Sequence, residues 1–366
     1  MLDIGQDVLY DHRTFMQELA YFCPNCQKEL VRGSTPEVAA TCSVCKKSWT
    51  SKDGLMMFSD DKYWGEIPEA EMRVLVEDVR ANGFESAIKR FRDKDPERFQ
   101  FIFDHSRADW RFGIDLKPTD RVLDVGCGLG AHTFALCDEV AQVVSFDLSY
   151  LRAKFVQQRA AFEHKDNIQT FVGDFINVPL PENSFDVIVW NGILEWIGQD
   201  KKFDDPYDVQ VWALQKCFRL LRPGGRLYIG IENRIALTYW VGGRDHIGLS
   251  FTSVMPRWMA RLYCRLRIKK DYRTYTHSKG GYERLLKKAG FPSVRVMMPY
   301  PGYNEPRLLI PFDDTACLKF AIQNLMGGAT WKRRLLKHVA LLPFVLSVYR
   351  HFFYSYDLFA TKPESV

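Results

Sequence analysis

Apolar and polar positions change period along the 366-residue chain. From 60 to 118 the apolar residues recur at helical spacing. Pro68 followed by EAEMRVLVEDVRANG predicts a helix with proline in its first turn and Asn82–Gly83 at its end. Pro96 opens a second, ERFQFIFDHSRADWRFG. From 119 onward, short apolar runs alternate with helical stretches. The runs predict strands over 121–126, 141–147, 168–173, 184–190 and 225–231. Helices are expected over 131–138, 149–164, 193–198 and 208–221. Such alternation predicts an α/β fold, a parallel sheet with helices on both faces. Ligands of such sheets bind at the carboxyl ends of the strands.

The strand ends therefore carry the chemistry. The first reads RVLDVGCGLG at 121–130, with Asp124 followed by Gly126, Gly128 and Gly130. Glycine there permits positive φ and lets a ligand approach the peptide chain. The helix start behind it offers free N–H groups. Asp147 closes the second strand about twenty residues after the first glycine, where a carboxylate accepts both hydroxyls of a ribose. Asp174 and Phe175 follow the third, an acid for an exocyclic amine beside a ring for stacking. Asn191–Gly192 end the fourth. The glycine turn alone also fits the G-x-G-x-x-A nicotinamide fingerprint if Ala131 is counted.

The later stretches discriminate. VLDVGCGLG, SFDLS, VGDF, NSFDVIVWNGILEWI and LRPGGRLYI, in that order, resemble the class I S-adenosylmethionine-dependent methyltransferases over 119–232. AGF at 289–291 and YDLFATK at 356–362 fall where the sixth and seventh strand regions would lie. The resemblance implies a Rossmann-like sheet of seven strands, the last antiparallel, and S-adenosyl-L-methionine as cofactor. It implies that Gly126, Gly128 and Gly130 line the methionine part, with Asp124 beside them as a further cofactor-binding candidate. Asp147, with Leu148 beside it, would hold the ribose, and Asp174 with Phe175 the adenine. Asn191 would stand near the transferred methyl.

Nine cysteines include CPNC at 23–26 and CSVC at 42–45. The spacing of Cys23, Cys26, Cys42 and Cys45 suits a four-thiolate zinc ribbon, whose closed tetrahedron makes the metal structural. Such heads resemble those on some bacterial methyltransferases. Cysteine usage of this kind favours a reducing compartment, the cytoplasm by default. The N-terminus has no signal-peptide pattern, and the longest apolar segment, 338–349, is too short to span a bilayer. A net charge of +5 does not by itself imply a nucleic-acid partner. The expected organisation is a ribbon-like segment at 1–60, a helical connector at 61–118, and a methyltransferase domain at 119–366 with insertions at 232–277 and 300–351. The connector is expected across the mouth of the glycine turn, where Arg107 or Trp110 could reach a ligand; packing is the preferred role for both.

Methyl transfer to a hydroxyl also needs a base. Two residues are candidates: His246, in GGRDHIG within the first insertion, and Glu195, one turn after Asn191. A lid salt bridge and a surface acid are the competing readings. Residues 257–273 form a basic amphipathic pattern, Arg257, Arg261 and Arg265 beside Trp258, Leu262 and Leu266. Residues 331–350 are basic, then apolar. Both suit an anionic acceptor or peripheral membrane contact, or else a solvated face. The favoured methyl acceptor is a small molecule, glycan or lipid-linked glycan; the alternative is RNA, docked by ribbon and basic helix.

Overall fold

The computed structural model describes residues 19–199, 205–325, 339 and 341–364. Strands are β1 (Leu30–Thr35), β2 (Val38–Cys42), β3 (Ser48–Lys52), β4 (Leu55–Met57), β5 (Arg121–Val125), β6 (Gln142–Asp147), β7 (Ile168–Val172), β8 (Phe185–Asn191), β9 (Leu221–Glu232), β10 (Val294–Gly302), β11 (Glu305–Pro311) and β12 (Ser355–Thr361). They form one sheet in the order β1-β2-β3-β4-β7-β6-β5-β8-β9-β12-β10-β11. The expected seven strands are thus corrected to twelve. The central β7, β6, β5, β8 and β9 are parallel. β12 runs antiparallel to both β9 and β10. Every β6 side chain is buried, which a strand covered on both faces requires.

The extra strands lie at the two edges. β10 starts before the second insertion and pairs with β12, and β11, inside that insertion, adds to it as a hairpin. At the other edge β1 to β4 form the cysteine-bearing hairpins, and β4 joins β7 through Met57 opposite Val172. The ribbon is therefore continuous with the main sheet. Tyr21, Phe58, Phe171 and Phe146 pack across the junction, with neighbouring ring centroids 4.7, 5.4 and 5.0 Å apart.

The connector differs from the two expected helices. It has three, α1 (Glu69–Asn82), α2 (Phe84–Lys94) and α3 (Pro96–Phe103), then a 3-10 segment at His105–Gly113. The second expected helix stops at Asp104, whose carboxylate accepts from Ser106 N and starts the 3-10 segment. Trp110 follows, fully buried, its ring stacked 3.9 Å from Tyr228 of β9 and its Nε1–H donating to His132 Nδ1. After β5 come α4 (Ala131–Leu136), α5 (Tyr150–Phe162), α6 (Pro206–Leu220), α7 (Arg257–Ile268) and α8 (Lys279–Ala289).

The amphipathic reading of α7 is reversed. Trp258, Leu262 and Leu266 point outward, the last 74% exposed. Arg257 donates to Thr276 O, and Arg261 donates to the Tyr275 hydroxyl at 2.5 Å. Arg265 pairs with Asp271. These partners hold Arg257 and Arg261 against the protein, whereas Arg265 stays exposed and the face turned inward is that of Ala260 and Cys264. Of the second basic stretch, 331–338 and 340 lie outside the described residues, as does the N-terminus to residue 18. No described helix is long and apolar enough to cross a membrane.

Trp110 is the clamp between connector and sheet. Trp110→Ala should cost about 3–5 kcal/mol, as large-to-small core changes do. Urea unfolding of the two chains measures the difference.

Candidate functional site

A cavity of about 920 Å³ opens at the carboxyl ends of β5, β6, β7 and β8. Its floor is the glycine turn. Gly126 and Gly128 line it at φ +66° and +58°, conformations that suit a residue without Cβ. A Cβ on Gly128 would come within 2.5 Å of Arg152 Nη2. Asp147 sits beside the turn, its Oδ2 accepting from Gly128 N at 3.0 Å and its Oδ1 from Ser149 N at 2.9 Å. Burial pushes its pKa up, against the pull of Arg152. Arg152 Nη1 lies 3.8 Å from Asp147 and donates to Trp64 O at 2.8 Å. The segment before α1, with Tyr63, Trp64 and Glu66, thus forms one wall.

Leu148, Asp174, Phe175 and Asn191 also line the cavity. Asp174 Oδ1 accepts from Ile176 N, which fixes the carboxylate at the β7 end. Phe175 is only 3% exposed, and its ring meets Trp190 edge-on at 4.8 Å. Its ring is thus largely packed within the protein while still lining the cavity. Asn191 Nδ2 donates to Asn304 Oδ1, and its own Oδ1 accepts from the Tyr228 hydroxyl.

Two more expectations change. Gly130 caps α4 in the left-handed conformation and faces the Phe134 ring and Val156, away from the cavity. Asp124 is buried behind the turn, where its Oδ2 accepts from the Thr133 hydroxyl at 2.6 Å. Burial raises its pKa to about 6, and the Thr133 bond opposes the rise. Asp124 therefore holds the first turn of α4 in place and does not touch a ligand. Arg107 reaches the cavity, donating to Asn304 O and Phe101 O, while Trp110 is wholly in the core.

The far end of the cavity brings the two candidate bases together. Glu195 lies on the 3-10 turn Leu194–Trp196, 1% exposed. His246 reaches in from the first insertion, its Nε2 3.8 Å from Glu195 Oε1. Sequence reasoning missed the third member, Glu232, whose Oε2 is 3.3 Å from the same nitrogen. Glu232 ends β9, and its place at a strand end was the available signal. Tyr303, from the β10–β11 hairpin, donates to Glu232 Oε1 at 3.0 Å. Burial and the charge of Glu232 push Glu195 up to about 8. Burial draws His246 down, but Glu232 and Glu195 outweigh it and bring it to about 9. The His246 ring lies 4.9 Å from Trp196, which packs on Trp64.

The four cysteines form a separate cluster in the edge hairpins, their sulfurs within 4.8 Å of one another. The two C-x-x-C turns repeat one geometry. Cys23 O accepts from Gln27 N, and Cys42 O from Lys46 N, with Gln27 and Lys46 both at positive φ.

Gly128→Ala must hold a side chain at φ +58° and displace Arg152. It should cost about 1–2 kcal/mol, read as a lower midpoint in thermal unfolding.

Comparison with known proteins bears on the same region. Residues 123–229 match the family described as "Methyltransferase domain". The chain is 33% identical over 117 residues to a phosphoethanolamine N-methyltransferase of Triticum aestivum, covering 32% of this chain and 21% of the relative. It is 27% identical over 182 residues to a demethylmenaquinone methyltransferase of Lactococcus lactis, covering 47% and 66%. The chain thus spans less than two thirds of either relative. A solved phosphoethanolamine N-methyltransferase 2 of Haemonchus contortus aligns with a TM-score of 0.43 at 17% identity, over 82% of this chain and 61% of that one. The family match places the similarity to a methyltransferase domain on residues 123–229, from within β5 to within β9.

Proposed function

We propose that this chain transfers a methyl group from S-adenosyl-L-methionine to a small-molecule, glycan or lipid-linked acceptor. The observation that carries the reading is the convergence of Gly126, Gly128, Asp147 and Asp174 on one side of a cavity whose other end holds Glu195 and His246. The residues fit the cofactor. The two glycines leave a bare peptide surface for its amino-acid part. Asp147 keeps unused lone pairs for two ribose hydroxyls, since each carboxylate oxygen accepts more than one bond. Asp174 faces the same space for the adenine amine. Bound there, the cofactor supplies an activated methyl on sulfur. The chain's own task is to position the acceptor in line and to exclude water.

Tyr63, Trp64, Arg107, Trp196 and Tyr303 enclose the space between the two ends. That enclosure suits a compact acceptor. The matched relatives are named for small acceptors, phosphoethanolamine and demethylmenaquinone, and nothing in those names supports the RNA alternative. Asn191, Glu195 and His246 are the residues we assign to contact with the acceptor.

We further infer that the four cysteines hold a structural zinc ion. Twin turns present the sulfurs from two sides, and four thiolates would leave no position open for chemistry. Within the expected 1–60 segment, the described residues from 19 on then serve as a ribbon bonded to the sheet edge, with 61–118 as the connector and 119–366 as the methyl-transferring unit with its two insertions.

Calorimetric titration should show one S-adenosylmethionine bound per chain, and Asp147→Ala should weaken it at least tenfold with the fold retained. Methyl-labelled cofactor added to fractionated lysate should place label in the metabolite, glycan or lipid fraction; label confined to RNA would overturn the acceptor class. Elemental analysis should find zinc bound to the wild-type chain, lost in the Cys23→Ser/Cys42→Ser double variant together with a lower unfolding midpoint.

A further inference from the structure

The acidic end of the cavity is anomalous as a purely protein arrangement. Both carboxylate oxygens of Glu195 are buried with no hydrogen-bond partner. Glu232 Oε2 and His246 Nε2 likewise make no hydrogen bond, and their contact with each other and that of His246 with Glu195 are ion pairs only, at 3.3 and 3.8 Å. Among the described residues, no lysine or arginine forms an ion pair with either glutamate. A buried carboxylate without a partner is costly, so such groups are normally paired or bound to metal.

The three side chains offer one imidazole nitrogen and two carboxylate oxygens, all within 4.8 Å of one another. Ligands 2.0–2.2 Å from a shared ion stand about 3–4 Å apart. The distances from His246 Nε2, 3.3 Å to Glu232 and 3.8 Å to Glu195, fall in that range. The remaining Glu232 oxygen is held by the Tyr303 hydroxyl, the kind of outer bond that orients a metal-binding carboxylate. The ligands come from β9, the turn after β8 and the first insertion, and the cavity opens on their other side.

We propose that Glu195, Glu232 and His246 bind one divalent first-row cation at the acceptor end of the cavity. An imidazole with two carboxylates suits manganese, iron or zinc better than magnesium or calcium, which prefer oxygen alone, and better than a soft ion, which prefers sulfur. Two carboxylates balance the charge of the dication. Three protein ligands leave positions open toward the cavity, where an oxygen of the methyl acceptor or water completes the shell. This deepens the methyltransferase reading, because it gives that acceptor an oxygen donor directed at the ion. It also gives His246 a reason to reach in from an insertion: the ion would fasten the insertion to the sheet.

The test uses the full chain and manganese(II), which a four-thiolate site holds poorly. The paramagnetic resonance signal of free manganese reports binding. The wild-type chain should take up one ion. Glu195→Gln and Glu232→Gln, which keep side-chain volume, should each weaken binding at least tenfold, and Tyr303→Phe should weaken it about tenfold. His246→Gln, at a half-buried position, supplies a variant that does not disturb the core. Cobalt(II) should add a weak oxygen–nitrogen spectrum to the strong thiolate bands of the cysteine cluster. The proposal is overturned if the wild-type chain leaves manganese free and cobalt gives thiolate bands alone. It is equally overturned if the three ligand variants bind manganese as the wild type does. Calorimetry with S-adenosylmethionine on the same samples separates the two readings. Cofactor binding without a metal at this site would sink only the present inference; metal binding without cofactor would sink only the methyltransferase assignment.

Discussion

The carboxylate of Asp147 ties the ends of two neighbouring strands to each other, and the cavity depends on that tie. One oxygen accepts from Gly128 N beyond β5, the other from Ser149 N beyond β6. Both donors lie in turns with few other partners available, and leaving a buried N–H unmet costs about 1–3 kcal/mol. The bond also fixes the path of the chain between Gly126 and Gly130, where three glycines at positive φ alternate with Cys127 and Leu129. That path starts α4 on time and leaves the Gly126–Gly128 surface bare. A carboxylate that organises its own floor is already oriented before any ligand arrives, so a ribose there needs no rearrangement of the protein.

The parallel strands could be read from the sequence because burial on both faces leaves continuous apolar runs. Predicted and observed limits of β5 to β8 agree within a residue. The glycine turn and Asp147 were legible for a similar reason: local backbone demands leave local marks. Side-chain direction left none. Asp124 and Gly130 belong to the same motif, yet one supports Thr133 and the other meets Phe134. Phe175 carries the right ring beside the right acid but spends it on Trp190. Tyr303 and Trp64 were out of reach, since their partners Glu232 and Arg152 lie 71 and 88 residues away in the chain and they arrive only through packing. The polarity of α7 misled for a physical reason: Arg257 and Arg261 found carbonyl and phenol partners beside the buried Ala260 and Cys264, which left Trp258 outward.

The edge hairpins show what short pairing can achieve. β4 has three residues, and its ladder with β7 rests on Met57 and Val172, extended by Phe58 N donating to Val172 O at 2.8 Å. So little backbone pairing would not hold two units together alone. The aromatic series from Tyr21 through Phe58 and Phe171 to Phe146 supplies the burial that makes the join firm. The outcome covers an otherwise open edge of the parallel sheet, a place prone to unwanted pairing. A cysteine cluster far from the cavity thus bears on it indirectly. It stiffens the hairpins that cap β7, and β7 leads into Asp174.

The opposite end of the cavity follows a different logic. Around the glycine turn the Asp147 carboxylate is hydrogen-bonded through both oxygens, although His132 Nε2 and Ser149 Oγ make no hydrogen bond. Around Glu195, four carboxylate and imidazole atoms are buried without a hydrogen bond within one small volume. Folding tolerates this because the surrounding elements are held by other bonds. Tyr282 donates its hydroxyl to Glu232 O, Gln210 donates to Leu194 O, and Tyr303 donates to the Glu232 carboxylate. Those bonds fix the backbone on which the acids ride, so the acids cannot turn outward to water. Stability spent in this way is typical of a site whose electrostatic balance is completed by something other than the chain. The two ends of one cavity therefore differ in chemistry: the floor presents bare glycine backbone and a hydrogen-bonded carboxylate, and the far wall presents two carboxylates around one imidazole.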